Sequence, residues 1–64
     1  MRKKYIEQLE LLGNMLVEMG ALIETAIAMA TQALRGQDIE LAKRAVAYDK
    51  EVDEKEREIE SLCL

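Results

Sequence analysis

The sequence predicts an all-α fold, an antiparallel hairpin of two helices at about residues 2–34 and 39–63. Three observations lead there. Apolar residues recur at alternating steps of three and four through both halves, the period of a helix face. One turn signal, Arg35-Gly36-Gln37-Asp38, separates the halves. No proline interrupts either one.

The first helix carries a sustained heptad stripe. It runs through Tyr5, Leu9, Leu12, Leu16, Met19, Ile23, Ala26, Ala30 and Ala33. Met15, Leu22 and Met29 form a second stripe beside it. Two stripes imply more than one neighbouring helix, as in a bundle. The methionines read as core filler. Gly13 and Gly20 stand one heptad apart. Each weakens a helix by about 1 kcal/mol relative to Ala. They permit a close helix approach, or else lie harmlessly on the exposed side. The small residues Ala26, Ala28, Ala30 and Ala33 also favour close packing.

The stop follows at once. Gly36 suits the left-handed residue after a helix, and Arg35 suits the negative end of the helix dipole. Asp38 is placed to cap the second helix, with Glu40 in its first turn. So short a connection makes the helices antiparallel.

The second helix contains an apparent conflict. At roughly 100° per residue, Ile39, Leu41, Ala42, Ala45, Val46, Val52, Ile59 and Cys63 fall within about 80° of Asp49. Asp53, Glu56 and Glu60 fall within about 40° of it. Lys43, Arg44, Lys50, Glu51, Glu54, Lys55 and Glu58 form the polar face. Carboxylates are thus expected at the centre of a packing face, where burial is costly unless something compensates them.

Composition narrows the function classes. With 64 residues the chain is one small domain with little surface to bury. Its formal charge of −4 is uneven. Arg2, Lys3, Lys4 and Arg35 balance Glu7, Glu10, Glu18 and Glu24 in the first half, so the excess acid lies in the second. Nucleic acid is not an expected partner. No run approaches about 18 uninterrupted apolar residues and no signal peptide is visible, so no membrane span is expected. The lone Cys63 suits a reducing compartment and reads as an inert core thiol. A soluble cytoplasmic protein is the expectation.

Catalysis is not expected. There is no His, no Gly-rich phosphate loop and no base beside a Ser or Cys. Two helices also enclose no apolar pocket. Nor do two helices with wide apolar arcs make a complete fold. Leu62-Cys63-Leu64 is still apolar and still in helical phase. Either further helices complete the core, or copies associate into a four-helix or larger bundle.

Several segments resemble the PhoU family of phosphate-uptake regulators. Met19-Gly20-Ala21-Leu22-Ile23-Glu24-Thr25-Ala26-Ile27 resembles that family's first helix. Ala33-Leu34-Arg35-Gly36-Gln37-Asp38-Ile39-Glu40-Leu41-Ala42 resembles its first turn. Asp49-Lys50-Glu51-Val52-Asp53, Ile59-Glu60 and Cys63-Leu64 resemble its second helix. The likeness keeps its spacing over essentially the whole chain. It implies that residues 1–64 are the first two helices of a three-helix repeat, cytoplasmic and usually dimeric. It also implies negative regulation of phosphate uptake, through the ATPase of a phosphate ABC transporter and a sensor histidine kinase. Some members bind iron, zinc or other divalent metals through acidic E/D-x-x-x-D motifs, and Asp49 and Asp53 match that motif. Manganese and magnesium are further candidates. The third helix with its partner motif, and the second repeat, are not in this sequence.

Three readings of the acidic stripe follow. Asp49 and Asp53, one turn apart, can converge on one cation. Alternatively the stripe is solvated, with Lys50, Lys55 or Arg57 as ion-pair partners. A third reading sets the acids against Arg2, Lys3 or Lys4, which in a hairpin lie nearer Glu60 than Asp49. Two functions remain: a regulatory protein acting through protein contacts, or a structural hairpin that oligomerises without a ligand.

Overall fold

A computed structural model describes residues 2–63. Helix α1 spans Arg2–Gly36 and helix α2 spans Ile39–Cys63. The two pack antiparallel, as the short turn requires. The molecule measures 53 × 15 × 10 Å. Its long dimension is that of α1, whose 35 residues rise about 1.5 Å each. Its short dimension is one helix thick. The radius of gyration is 15.4 Å, against about 11 Å for a compact domain of this length. A single layer of this kind encloses almost no core.

The helices meet along a heptad seam. On α1 the seam is made by the less exposed residues Leu12, Met15, Met19, Leu22, Ala26, Met29 and Ala33, with Thr25 half-buried beside them. On α2 they are Leu41, Ala45, Tyr48, Val52, Lys55, Ile59 and Leu62. Both sets alternate in threes and fours, the coiled-coil spacing. Only Ala33 and Val52, at 7% and 8% exposure, are buried among the described residues. The three seam methionines match their expected role as filler. The long stripe expected on α1 divides. Leu12, Met19, Ala26 and Ala33 join the seam, while Tyr5, Leu9, Leu16, Ile23 and Ala30 stay exposed.

The turn corrects one expectation and meets another. Gly36 is still helical and α1 ends two residues later than the sequence suggested. Gln37, not Gly36, takes the left-handed conformation, with φ 50°. The Asp38 amide donates to the Ala33 carbonyl at 3.0 Å, the six-residue closure of a Schellman cap. That closure fixes the left-handed residue at position 37, one later than the glycine. Asp38 caps α2 as expected: its Oδ1 accepts from the Leu41 amide at 3.1 Å.

On α2 the seam is not centred on Asp49. It runs through Tyr48, Val52 and Lys55, roughly a quarter turn away. The larger side chains Leu41, Tyr48, Ile59 and Leu62 take the contact. Asp49 and Asp53 are therefore exposed, and their expected burial cost does not arise. Cys63 is likewise exposed and free, so it is not a core thiol. The last residue of the apolar run Leu62-Cys63-Leu64 lies outside the described residues.

Candidate functional site

The hairpin has two flanks of different chemistry. On the first, α1 presents Leu16, Ile23, Ile27 and Leu34. Beside them α2 presents Ile39, Ala42 and Val46, then Asp49, Asp53, Glu56 and Glu60. The α2 residues alternate in threes and fours, so they form one stripe, apolar near the turn and acidic beyond it. Near the turn the helices leave an open, apolar groove of about 620 Å³, lined by Ala30, Leu34, Ile39, Ala42 and Val46 among others. A smaller groove continues from Ala26, Ile27 and Ala30 to Val46 and Asp49. Asp49 thus stands where the apolar surface gives way to the acidic one.

Asp49 and Asp53 are on one face of one helix, four residues apart, so their carboxylates can approach one ion. Neither takes part in an ion pair among the described residues. Hard oxygen donors of this kind suit Mg²⁺, Mn²⁺ or iron. Among the described residues no group of three or more His, Cys, Asp or Glu is gathered closely enough to hold an ion. The pair brings together two carboxylates, fewer donors than an octahedral ion takes.

The second flank is charged and internally satisfied. Lys55 Nζ donates to Glu18 Oε2 at 2.9 Å and to Glu58 Oε2 at 3.2 Å. Its side chain is only 19% exposed, because position 55 is in phase with the seam. The hydrogen bond to Glu18, then that to Glu58, holds the Lys55 ammonium above its usual pKa, against the opposing effect of desolvation. Lys43 pairs with Glu40 at 3.6 Å, fully at the surface. Lys55 was expected on the polar face and as a partner for the acidic stripe. It serves neither role, because Glu18 meets it from α1. The signal was available in its heptad phase with Val52 and Ile59.

One further observation concerns α1. It contains an 18-residue stretch of mean hydropathy 1.4, long and apolar enough to cross a membrane by length and composition. The sequence expectation counted uninterrupted apolar residues, and Glu24 and the glycines break that count. In the hairpin one side of this helix is taken up by α2, whose outward surface is charged.

Residues 16–64 match the PhoU domain family. The chain belongs to that family. The "Phosphate-specific transport system accessory protein PhoU homolog" of Aquifex aeolicus (strain VF5) is 34% identical over 61 residues. The matched span covers 95% of this chain and 28% of that relative. No solved structure matches the chain. The turn, Asp49, Asp53 and the seam from Met19 onward lie inside the region that matches the PhoU domain.

Proposed function

We propose that this chain acts in phosphate uptake, as the first hairpin of a PhoU-type accessory protein. In this reading residues 1–64 are two helices of a three-helix repeat. They act without catalysis, in the cytoplasm, by presenting helix faces to other proteins. The partners are the ATPase of a phosphate transporter and a sensor histidine kinase, and the effect is negative regulation. The observation that carries the reading is the family match over residues 16–64. The unpartnered apolar flank supports it, since such a surface serves contacts rather than chemistry. α1 belongs to a soluble bundle, with its apolar flank covered by helices rather than lipid.

Two finer parts belong to the same proposal. Asp49 and Asp53 supply two ligands for a divalent metal, iron, zinc, manganese or magnesium, and a further helix or a second copy supplies the rest. The bound ion would offset the charge of Asp49 and Asp53 and hold two helices together. Copies of the chain also associate, because a single layer with two buried residues among those described is too small a core to stand alone.

The test uses a bacterial strain deleted for its own regulator, in which a phosphate-starvation reporter is constitutively on. Expression of the protein should restore repression and lower phosphate uptake. An unchanged reporter and unchanged uptake, with the protein present and folded, would refute the regulatory role. That result would favour a structural oligomerisation module without a ligand. The absence of a three-ligand group among the described residues fits this alternative.

A further inference from the structure

Every methionine among the described residues stands on the seam. Met15, Met19 and Met29 fill three of its seven positions on α1, and each is half-buried. Only Ala33 and Val52 are buried among the described residues, so no deeper core stands behind these side chains. Lys55 bonds Glu18, which sets Met15 level with Ile59, Met19 with Lys55 and Met29 with Ala45. The methionines are thus spread along the contact between the helices.

Two of the three lie on the water side of the seam. Met15, Leu22 and Met29 repeat every seven residues, and at roughly 100° per residue they fall toward Glu18 and the charged flank. An open groove on that flank reaches Leu22, the middle residue of this line. Met19 falls toward Leu16 and Ile23 instead. A third helix on the apolar flank would cover Met19 and leave the line of Met15 and Met29 open.

Leucine would serve the seam as well, since it matches methionine in volume and in helix propensity. Methionine adds what leucine lacks, a thioether that oxidants attack. We propose that Met15, Met19 and Met29 form an oxidation-sensitive clasp, in which hydrogen peroxide converts them to sulfoxides and releases α2 from α1. The thioether sulfur gives an electron pair to one peroxide oxygen, and the O–O bond breaks. Sulfur keeps that oxygen and is oxidised by two electrons, while the peroxide is reduced to water. The product is a polar group at a position packed as an apolar one. Its oxygen needs water, which the closed seam does not supply. Opening the seam breaks the Lys55–Glu18 bond and parts the apolar residues of α1 from Asp49 and Asp53. Methionine sulfoxide reductases reverse the step and let the clasp close again. The clasp depends on the seam alone, and not on the role in phosphate uptake.

Thermal melts of the 64-residue chain test this, with Cys63→Ser throughout to remove the free thiol. After hydrogen peroxide treatment, mass spectrometry of the peptides locates each added oxygen. Oxygen at Met15, Met19 and Met29 should lower the melting temperature by at least about 10 °C, and methionine sulfoxide reductase should restore it. Met15→Leu/Met19→Leu/Met29→Leu should fold as the parent does. Under the same treatment it should hold its melting temperature to within about 2 °C. Seam methionines that stay unoxidised in the folded chain overturn the clasp, because they are then sealed from solvent. So does a chain whose sulfoxides leave the melt unchanged, or a leucine variant that loses as much as the parent. A chain with no cooperative melt before oxidation overturns it as well, since it has no seam to open.

Discussion

The two flanks of the hairpin share one seam and differ in what they leave unfinished. On the charged flank, Glu18, Lys55 and Glu58 satisfy one another, and the side chains around them are mostly charged. On the other, apolar residues of α1 lie beside an acidic stripe of α2 that forms no ion pair among the described residues. The first flank is finished as a surface. The second combines surface that avoids water with carboxylates that require it, a pairing that makes sense when another helix or an ion completes it. The contrast teaches that this chain's function lies in one of its two sides.

The most severe way to break the comparison is to remove the seam that holds both flanks. Val52→Asp puts a charge at one of the two buried positions and should cost about 3 kcal/mol. A thermal melt should then show a largely unfolded chain. Val46→Asp, on the exposed stripe, should leave the hairpin folded and provides the contrast.

A second test addresses the acidic stripe directly. Mn²⁺ at tenfold excess over its dissociation constant should stabilise the protein by about 1.4 kcal/mol. Asp49→Asn/Asp53→Asn should abolish that gain. Without metal the same variant should be slightly more stable, by a few tenths of a kcal/mol, because like charges one turn apart no longer repel. Equal metal-induced shifts in both proteins would assign the ion to other residues.

The turn sets which flank faces which way, and it yields a smaller pair of effects. Asp38→Ala removes the cap on Leu41 and should cost about 1 kcal/mol. Gln37→Gly should gain up to about 1 kcal/mol, since the left-handed backbone at φ 50° favours glycine. Chemical denaturation of both variants checks the signs.

The smallest effect concerns the finished flank. The Lys55 pKa is raised on folding, so its contribution is complete below the ordinary lysine pKa. It is lost as pH rises through the higher folded value. The denaturation midpoint should therefore fall in strongly alkaline solution, and fall less for Lys55→Met. A parallel decline in both proteins would show that the pair contributes nothing.

Much of this was legible in the residues. The helix periods and the Asp38 cap depend on local chemistry and appear where the sequence placed them, while the turn falls within 35–38 but with α1 ending two residues later and Gln37 in place of Gly36 as its left-handed residue. The PhoU resemblance rested on contiguous segments and the family match covers residues 16–64. The packing face of α2 was not legible. Its apolar arc is wide enough to hold two seams, one on Asp49 and one on Val52, and a helical wheel ranks them alike. The same ambiguity hid Lys55, whose partner Glu18 lies 37 residues away.

The sequence alone determined that there are two helices, where they turn and which residue types each stripe carries, because these follow from spacing and capping within a few residues. Only the tertiary structure decided which stripe became the seam. That choice depends on fitting side chains of α1 against those of α2, a condition no single helix contains. It moved Asp49 and Asp53 from an expected interior to an open flank, beside the exposed apolar residues of α1.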